Sequence, residues 1–113
     1  MKTGISQSEE LKIWYVYIMA NKPHGVIYIG VTDNLTERVK EHQLKVYSRS
    51  FTAKYNCDKL VYFEEIKNGA LAVKRERQMK KWKRDWKIQS IEDMNPGWMD
   101  LSSNWSFNYR KIR

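Results

Sequence analysis

Two β-type segments that flank a tight turn constrain the fold more than any other feature of this chain. Residues Trp14–Ala20 are mostly aromatic or β-branched, and residues 26–31 repeat that composition. Residues 21–25 between them read Asn-Lys-Pro-His-Gly, in which proline and glycine favour a reversal of the chain. The pattern predicts a β-hairpin over residues 14–31 and excludes an all-helical fold.

Side chains alternate between the two faces of a strand, so the hairpin sequence also predicts its faces. A turn centred between Lys22 and Pro23 places Tyr17 directly opposite Tyr28. On the evidence of the hairpin alone, an ordinary cross-strand aromatic pair is the favoured explanation of the two tyrosines. One face is largely aliphatic and suited to the core, with Trp14, Val16, Ile18, Ile27, Ile29 and Val31. The other face carries Tyr15, Tyr17, Met19, Val26, Tyr28 and Gly30.

Helix and strand patterns alternate after the hairpin. A helix is predicted to follow the capping residues at 32–34, with Leu35, Val39 and His42 on one face. Residues 46–52 are expected to form a polar, basic loop before a short helical turn at 53–56. Residues 59–67 predict a third strand, and residues 70–84 and 85–94 predict two more helices.

Together these elements predict one α/β domain over residues 13–101. Its sheet should be small, three-stranded and mostly antiparallel, and helices should flank it. Residues 1–12 are expected to form a flexible N-terminal tail, and residues 102–113 a basic C-terminal tail.

The charge balance points to a polyanionic partner. The chain has 21 Lys and Arg against 13 Asp and Glu, a formal net charge of +8. Residues 74–87 alone hold eight basic residues against two acidic ones. Such a cluster is the electrostatic footprint of a nucleic-acid-binding protein, and the 13% of aromatic residues also suits stacking on bases. Basicity alone does not exclude a ribosomal or membrane-surface protein.

Other protein classes are excluded by what the sequence lacks. Cys57 is the single cysteine, so a disulfide framework within the chain is impossible, and no Cys and His spacing indicates zinc. The longest apolar run, residues 13–20, has eight residues, whereas a membrane-spanning helix needs about 20. No apolar signal region is visible near the N-terminus, so a cytoplasmic location is expected.

Five motifs in order resemble the signature of the GIY-YIG endonucleases, beginning in the hairpin. Residues 15–17 read Tyr-Val-Tyr and residues 28–30 read Tyr-Ile-Gly. Tyr17 and Tyr28 stand at the family's tyrosine positions. The first triplet departs from the family name, because Tyr15 and Val16 replace its Gly and Ile.

The remaining motifs follow at suitable spacing. Residues 35–42 resemble the family's Leu-x-x-Arg-x-x-x-His stretch, with Arg38 and His42. Glu76 lies in a helical pattern like the one that carries the family's metal-binding glutamate. Asn95 opens a stretch, Asn-Pro-Gly-Trp, that is similar to the family's late asparagine motif.

The resemblance implies metal-dependent hydrolysis of DNA phosphodiester bonds, with roles in repair or recombination. Glu76 would hold one divalent cation, Mg²⁺ or Mn²⁺, through carboxylate oxygen. Arg38 would bind phosphate oxygens, and one tyrosine would take a proton from water. The family favours Tyr17 as this base, but the sequence leaves the choice between Tyr17 and Tyr28 open. The implied catalytic set is Tyr17, Tyr28, Arg38, His42, Glu76 and Asn95.

Contacts to DNA are expected at Arg38 and along the basic run. The polar ends of Tyr17, Tyr28, Arg38 and Glu76 should meet within about 10 Å, a span that one phosphate, one metal ion and their waters can bridge. RNA stays open as a substrate, no membrane is expected, and the oligomeric state is not indicated. No second DNA-binding domain is visible, which favours a protein partner that supplies specificity. The DNA-binding residues predicted in the basic run are Lys74, Arg77, Lys80, Lys81 and Lys83.

Each assignment has a purely structural alternative. Arg38 also fits a solvated helix residue, and Glu76 fits an i,i+4 pair with Lys80. His42 fits a half-buried helix residue, and Asn95 fits a helix stop. The alternative function is a nucleic-acid-binding module that keeps the fold without turnover.

Overall fold

The computed structural model describes residues 12–105 of the chain. Both neighbours of the first strand pair with it in the antiparallel sense, so the predicted α/β class and three-stranded antiparallel sheet are confirmed. Most of the two predicted tails, residues 1–11 and 106–113, lies outside the described residues. The elements are β1 (Trp14–Ala20), β2 (Ile27–Thr32), α1 (Leu35–Gln43), α2 (Phe51–Lys54), β3 (Lys59–Ile66), α3 (Gly69–Lys81) and α4 (Arg84–Met94).

The first strand, β1, lies in the centre of the sheet between β2 and β3. Residues 16–20 of β1 are all buried. A strand that is covered on both faces needs apolar side chains at consecutive positions, which explains the uninterrupted apolar run in the sequence.

The hairpin register differs from the prediction by two residues. Tyr17 pairs with Gly30, and Met19 pairs with Tyr28. The backbone N–H of Asn21 donates to the carbonyl of Val26 at 3.2 Å, so the loop comprises residues 22–25 and the reversal is centred after Pro23. The predicted pairing of Tyr17 with Tyr28 is therefore wrong. A shift of two residues keeps every side chain on its face, so the predicted faces are confirmed.

Helices cover both faces of the sheet. The largely aliphatic face packs against α3 and α4, where Ala72, Met79 and Ile91 are buried. The tyrosine face packs against α1 and the chain around Cys57, and it forms a second buried cluster. Cys57 is fully buried, as expected for a small apolar residue. Two small cores, one on each side of β1, thus hold the domain together.

Several boundaries differ from the predictions. Residues 51–52, expected in a loop, begin the short helix α2. α3 ends at Lys81, because Trp82 and Lys83 are extended and start the turn into α4. Ser102, assigned to the tail, is buried. Among residues 12–105, no helix is long and apolar enough to cross a membrane.

Candidate active site

A buried hydrogen-bond chain occupies the tyrosine face of the sheet. The hydroxyl of Tyr17, on the central strand, lies 2.8 Å from Nε2 of His42 on α1. Nδ1 of the same ring lies 2.7 Å from Oγ1 of Thr52 on α2. Thr52 Oγ1 lies in turn 3.3 Å from Oγ of Ser50, which caps α2. The chain links a strand and two helices, and Tyr17, His42 and Thr52 are each no more than 5% exposed.

The protonation states of Tyr17 and His42 follow from this burial. Burial raises the pKa of Tyr17 above its ordinary value of 10.0; the neighbouring Tyr28 adds to the effect, and the Arg38 charge opposes it. Burial, together with the Arg38 charge, lowers the pKa of His42 to about 4, and the Glu41 charge opposes this shift. At neutral pH both side chains are uncharged: a phenol that keeps its proton and an imidazole that can accept one.

The direction of the hydrogen bonds can be assigned from the neighbours. The positive charge of Arg38 acts on the Tyr17 oxygen and favours a lone pair on that side, because an arginine side chain has no acceptor. The Tyr17 proton is therefore assigned to the bond with His42 Nε2. A neutral imidazole carries one N–H, so Nδ1–H donates to Thr52 Oγ1.

Arg38 lies beside the Tyr17 end of this hydrogen-bond chain. Its Nη1 donates to Glu41 Oε1 at 2.9 Å, and its guanidinium lies 5.6 Å from the ring centre of Tyr47. Burial acts to lower the pKa of Arg38, but the hydrogen bond to Glu41 and the nearby tyrosines raise it above its ordinary value. The residue stays charged and lines an open cavity of about 360 Å³ with Glu41, His42, Tyr47 and Ser50.

Tyr28 borders the same cluster from the edge strand β2. Its ring centre lies 6.3 Å from that of Tyr17 and 5.4 Å from that of His42. On its other side Tyr28 lines a second cavity, of about 270 Å³, with Ile27, Ile29, Phe51, Lys80 and Lys87. The structure thus brings four of the predicted residues together: Tyr17, Tyr28, Arg38 and His42.

Glu76 is linked to this group through Lys80. It is on α3, mostly buried, and its Oε2 lies 2.6 Å from Nζ of Lys80. This is the i,i+4 pair that the sequence offered as an alternative. Lys80 lines the second cavity beside Tyr28, so the ion pair links Glu76 to that cavity. The expected approach of Glu76 to Tyr17 and Arg38 stays a prediction.

The donor set around Glu76 limits the kind of metal it can hold. Within residues 12–105, no three His, Cys, Asp or Glu side chains are placed to share an ion. In the same part of the chain, every buried side-chain nitrogen or oxygen has a hydrogen-bond partner, so no orphaned ligand marks a cage. A single carboxylate does fit Mg²⁺, which keeps several waters and takes substrate phosphate oxygens as ligands.

Asn95 lies apart from the tyrosine cluster. Its Nδ2 donates to the carbonyls of Val61 and Met99, at 3.1 and 2.8 Å, and its Oδ1 accepts from the backbone N–H of Met99 at 3.0 Å. Both amide protons are thus used, and the side chain is 5% exposed. These contacts tie β3 to the turn after α4.

The predicted DNA-binding residues of the basic run lie at three separate places on the surface. Lys80 lines the cavity beside Tyr28. Lys83 is exposed at the start of α4. The other three line a separate cavity of about 520 Å³ on the outer side of α3, next to Trp82: Lys74, Arg77 and Lys81.

Comparison with known proteins decides the family. Residues 13–89 match the model of the GIY-YIG catalytic domain. The chain belongs to the GIY-YIG family. Membership places it among nucleases, for which nucleic acid is the substrate.

Individual relatives agree with this assignment. A UPF0213 protein of Syntrophus aciditrophicus is 35% identical over 82 residues, which cover 73% of this chain and 92% of the relative. A UPF0213 protein of Clostridium perfringens is 39% identical over 77 residues, which cover 68% of this chain and 81% of the relative. No solved structure matches the chain significantly.

The structure explains the glycine of the GIY-YIG motif in this chain. A Cβ atom at Gly30 would lie 2.5 Å from the Tyr17 hydroxyl oxygen and 2.6 Å from the carbon that bears it. Gly30 therefore leaves the space in which the Tyr17 ring crosses the neighbouring strand toward His42. Tyr17, from the first half of the motif, and Gly30, from the second half, pair directly in the sheet.

Several residues of the site escaped the sequence analysis. Thr52 and Ser50 stand in a stretch that reads as a polar loop, and the four-residue helix α2 is too short to show a helical period. Glu41 and Phe51 were also missed. One signal was available for Ser50: a serine followed three residues later by Ala53, whose N–H it accepts, is a typical N-cap.

Proposed function

We propose that this protein is a divalent-metal-dependent endonuclease that hydrolyses DNA phosphodiester bonds, with a role in repair or recombination. The observation that carries the proposal is the buried hydrogen-bond chain from Tyr17 through His42 to Thr52. The Tyr17 end of this chain lies beside the charged Arg38. A phosphodiester hydrolase needs a proton acceptor for water and a positive charge at the phosphate. Arg38 supplies the charge and lines one cavity with His42, and His42 is hydrogen-bonded to Tyr17, the proposed proton acceptor.

Arg38 is the proposed phosphate ligand. A guanidinium binds two non-bridging oxygens at once, which fixes the phosphate in a defined orientation. One of its nitrogens donates to Glu41, and the residue lines a cavity together with His42 and Tyr47. Bound phosphate would be held next to the Tyr17 hydroxyl.

Tyr17 is proposed to take the proton of the attacking water. Its own proton passes along the existing hydrogen bond to His42 Nε2, and the phenol oxygen accepts the proton released as the water oxygen bonds to phosphorus. The bond from phosphorus to the leaving oxygen breaks in the same step, and that oxygen takes a proton from solvent while His42 later returns its extra proton to solvent. This route avoids free tyrosinate, which the raised pKa of Tyr17 disfavours. Burial and Arg38 disfavour the imidazolium in the free protein, so the route requires the negative charge of the bound phosphate to stabilise it. Tyr28, beside both rings, is proposed to orient the water.

Glu76 is the proposed ligand of Mg²⁺ or Mn²⁺. The ion, when bound, supplies positive charge that stabilises the developing charge on the phosphate and the leaving oxygen. Lys80 now pairs with the carboxylate, so metal binding would have to displace the lysine amine. The freed Lys80 lies beside Tyr28, where it can contact a neighbouring phosphate.

The same ion pair is the specific observation that favours a second candidate function. In a binding module without turnover, Glu76 would hold no metal ion and would stay paired with Lys80. In that case the basic surface would bind nucleic acid and the tyrosine cluster would only support the fold.

A cleavage assay separates the two. Purified protein is incubated with labelled single-stranded, duplex, flapped and branched DNA, and with matched RNA, in Mg²⁺, Mn²⁺ or EDTA. The endonuclease proposal expects metal-dependent cleavage of at least one DNA substrate, and a loss of two or more orders of magnitude for Glu76→Gln. Binding without cleavage across the panel would establish the binding module instead.

A further inference from the structure

The chain between α1 and the end of α2 exposes an unusual amount of apolar surface beside the site. Phe51 and Tyr55 are 45% and 41% exposed, and Tyr47 is 55% exposed. Two aliphatic residues of the same stretch, Leu44 and Val46, are exposed as well. Five large apolar side chains within twelve residues are more than scattered surface residues. A ligand that covers them is therefore expected.

Two of these aromatic rings, Phe51 and Tyr55, extend from Tyr28 toward the surface. The ring centre of Phe51 lies 6.0 Å from that of Tyr28, with 30° between the ring planes. The ring centre of Tyr55 lies 4.7 Å from that of Phe51. We call Tyr28, Phe51 and Tyr55 the aromatic row. It begins inside the candidate site and ends on the open surface.

The charge around the aromatic row selects the ligand. Residues 42–57 contain no Asp or Glu, but they contain Lys45, Arg49 and Lys54. Lys54 Nζ lies 5.4 Å from the ring centre of Tyr55. On the other side, Lys80 and Lys87 line the cavity that Tyr28 and Phe51 share. Aromatic faces flanked by cations suit a ligand that has both flat apolar surfaces and negative charge.

An unpaired nucleotide has this chemistry. Its base presents a free face for stacking, and its phosphate presents charge to lysine. Bases inside a duplex have both faces covered by their neighbours, so they cannot stack on Phe51 or Tyr55. The cavity beside Tyr28, at about 270 Å³, is close to the lower limit of small-molecule pockets, roughly 300 Å³. It therefore suits one nucleotide.

We infer that the aromatic row is a stacking platform for unpaired nucleotides next to the phosphate at Arg38. The substrate class is then nucleic acid with a single-stranded segment at the point of cleavage. This inference rests on the proposed function for its position relative to the cut. Its test uses binding alone, so that it can fail or succeed independently of cleavage.

The experiment measures binding of the full chain in EDTA, which prevents metal-dependent cleavage. The probes are a fluorescein-labelled mixed-sequence DNA 20-mer, its perfect duplex, and the RNA of the same sequence, at one salt concentration. The single strand should bind at least tenfold tighter than the duplex. Phe51→Leu keeps apolar area but removes the π-face, and it should weaken single-strand binding by about 5- to 150-fold. Duplex binding should change less than twofold.

Control variants separate stacking from nonspecific hydrophobic binding and from misfolding. Leu71→Ala removes a side chain that is 57% exposed on α3, away from the aromatic row, and should leave both affinities unchanged. Phe51→Trp should restore single-strand binding. A 2-aminopurine base in the strand should lose fluorescence when the wild-type protein binds, a readout that needs no variant.

Several outcomes would overturn the inference. Tighter duplex binding would do so, as would Phe51→Leu binding the single strand as well as wild type, or unchanged 2-aminopurine fluorescence. Binding to anionic phospholipid vesicles that depends on Phe51, without such dependence for the single strand, would assign the aromatic row to a membrane surface. Equal loss for DNA and RNA supports stacking, because every base has a π-face. A protein that passes these tests but never cuts would keep the platform and lose the proposed endonuclease function.

Discussion

The hydroxyl oxygen of Tyr17 and Nε2 of His42 share a buried hydrogen bond of 2.8 Å. One partner comes from the central strand and the other from the first helix, so the bond exists only in the folded domain. Because burial keeps both groups neutral, the pair holds a proton that can move when a phosphate brings negative charge. The first three predictions below follow from this geometry.

Thr52 is predicted to act as a positioning residue for His42. Thr52→Val keeps the shape of the side chain but removes the oxygen that lies 2.7 Å from His42 Nδ1. Without that acceptor the imidazole can take its other tautomer, in which Nε2 no longer accepts from Tyr17. Single-turnover cleavage should slow by about 10- to 100-fold, with the KM for DNA unchanged. Thr52→Ser, which retains the hydroxyl, should recover most of the rate. Equal rates for the Val and Ser variants would contradict the role.

Gly30 is predicted to be intolerant of a methyl group. In Gly30→Ala the new Cβ would lie 2.5 Å from the Tyr17 oxygen, and the buried ring cannot move away without straining its hydrogen bond to His42. Overpacking of this kind costs about 1–3 kcal/mol in the free energy of unfolding, and the displaced hydroxyl should reduce cleavage. Gly97→Ala is the matched control, because its Cβ would meet only Met99 at 3.6 Å. Urea denaturation of both variants checks the prediction, which similar midpoints would refute.

Stability is predicted to fall as the pH drops below the ordinary histidine pKa. The folded protein holds the pKa of His42 near 4 against 6.5 for an unperturbed histidine. Below pH 6.5 the unfolded chain therefore binds a proton that the folded chain rejects. The stabilisation is full above pH 6.5 and is lost progressively toward pH 4, by up to about 3 kcal/mol.

Urea midpoints at several pH values between 7.5 and 4.5 measure this effect. His42→Gln lacks the titrating group and should show a shallower pH dependence than wild type; His24 remains in both proteins. For the same reason kcat/KM of the wild type should stay flat from pH 8 to pH 6. A half-loss of kcat/KM centred on pH 6.5 would show that His42 titrates normally.

Asn95 is predicted to be structural rather than catalytic. Asn95→Ala would leave the carbonyls of Val61 and Met99 and the N–H of Met99 without their partner. The expected cost is about 1–3 kcal/mol for each buried group that stays unsatisfied. At a temperature where the variant is folded, its cleavage rate per folded molecule should match wild type. A rate that falls more than tenfold in folded protein would restore the catalytic assignment.

The sequence predicts the strands of this domain better than their pairing. The alternation in residues 14–31 identifies both strands and both faces, because each residue in a strand contributes to the pattern. The register depends on how the loop closes, and here the Asn21 side chain accepts from Val26 N–H at 2.9 Å. No local periodicity encodes that contact, so the predicted register was two residues off.

In the candidate site, too, local patterns predict some residues, whereas long-range contacts determine the others. Arg38 and His42 share a helix, and the motif spacing was enough to place them near Tyr17. Thr52 joins them from α2 through a contact between residues that are ten positions apart. Asn95 shows the opposite case: its position in a motif indicates chemistry, whereas its hydrogen bond to Val61, 34 positions away, favours the predicted structural role.

The most direct test of the proposed mechanism is single-turnover cleavage by Tyr17→Phe in Mg²⁺, beside equilibrium binding of the same DNA in EDTA. The substitution removes only the hydroxyl that is proposed to take the proton of water. Cleavage should fall by about 10²- to 10⁴-fold, while the affinity for DNA stays within about twofold of wild type, because Arg38 and the lysines are intact. Cleavage by Tyr17→Phe at the wild-type rate would show that this hydroxyl takes no part in the reaction.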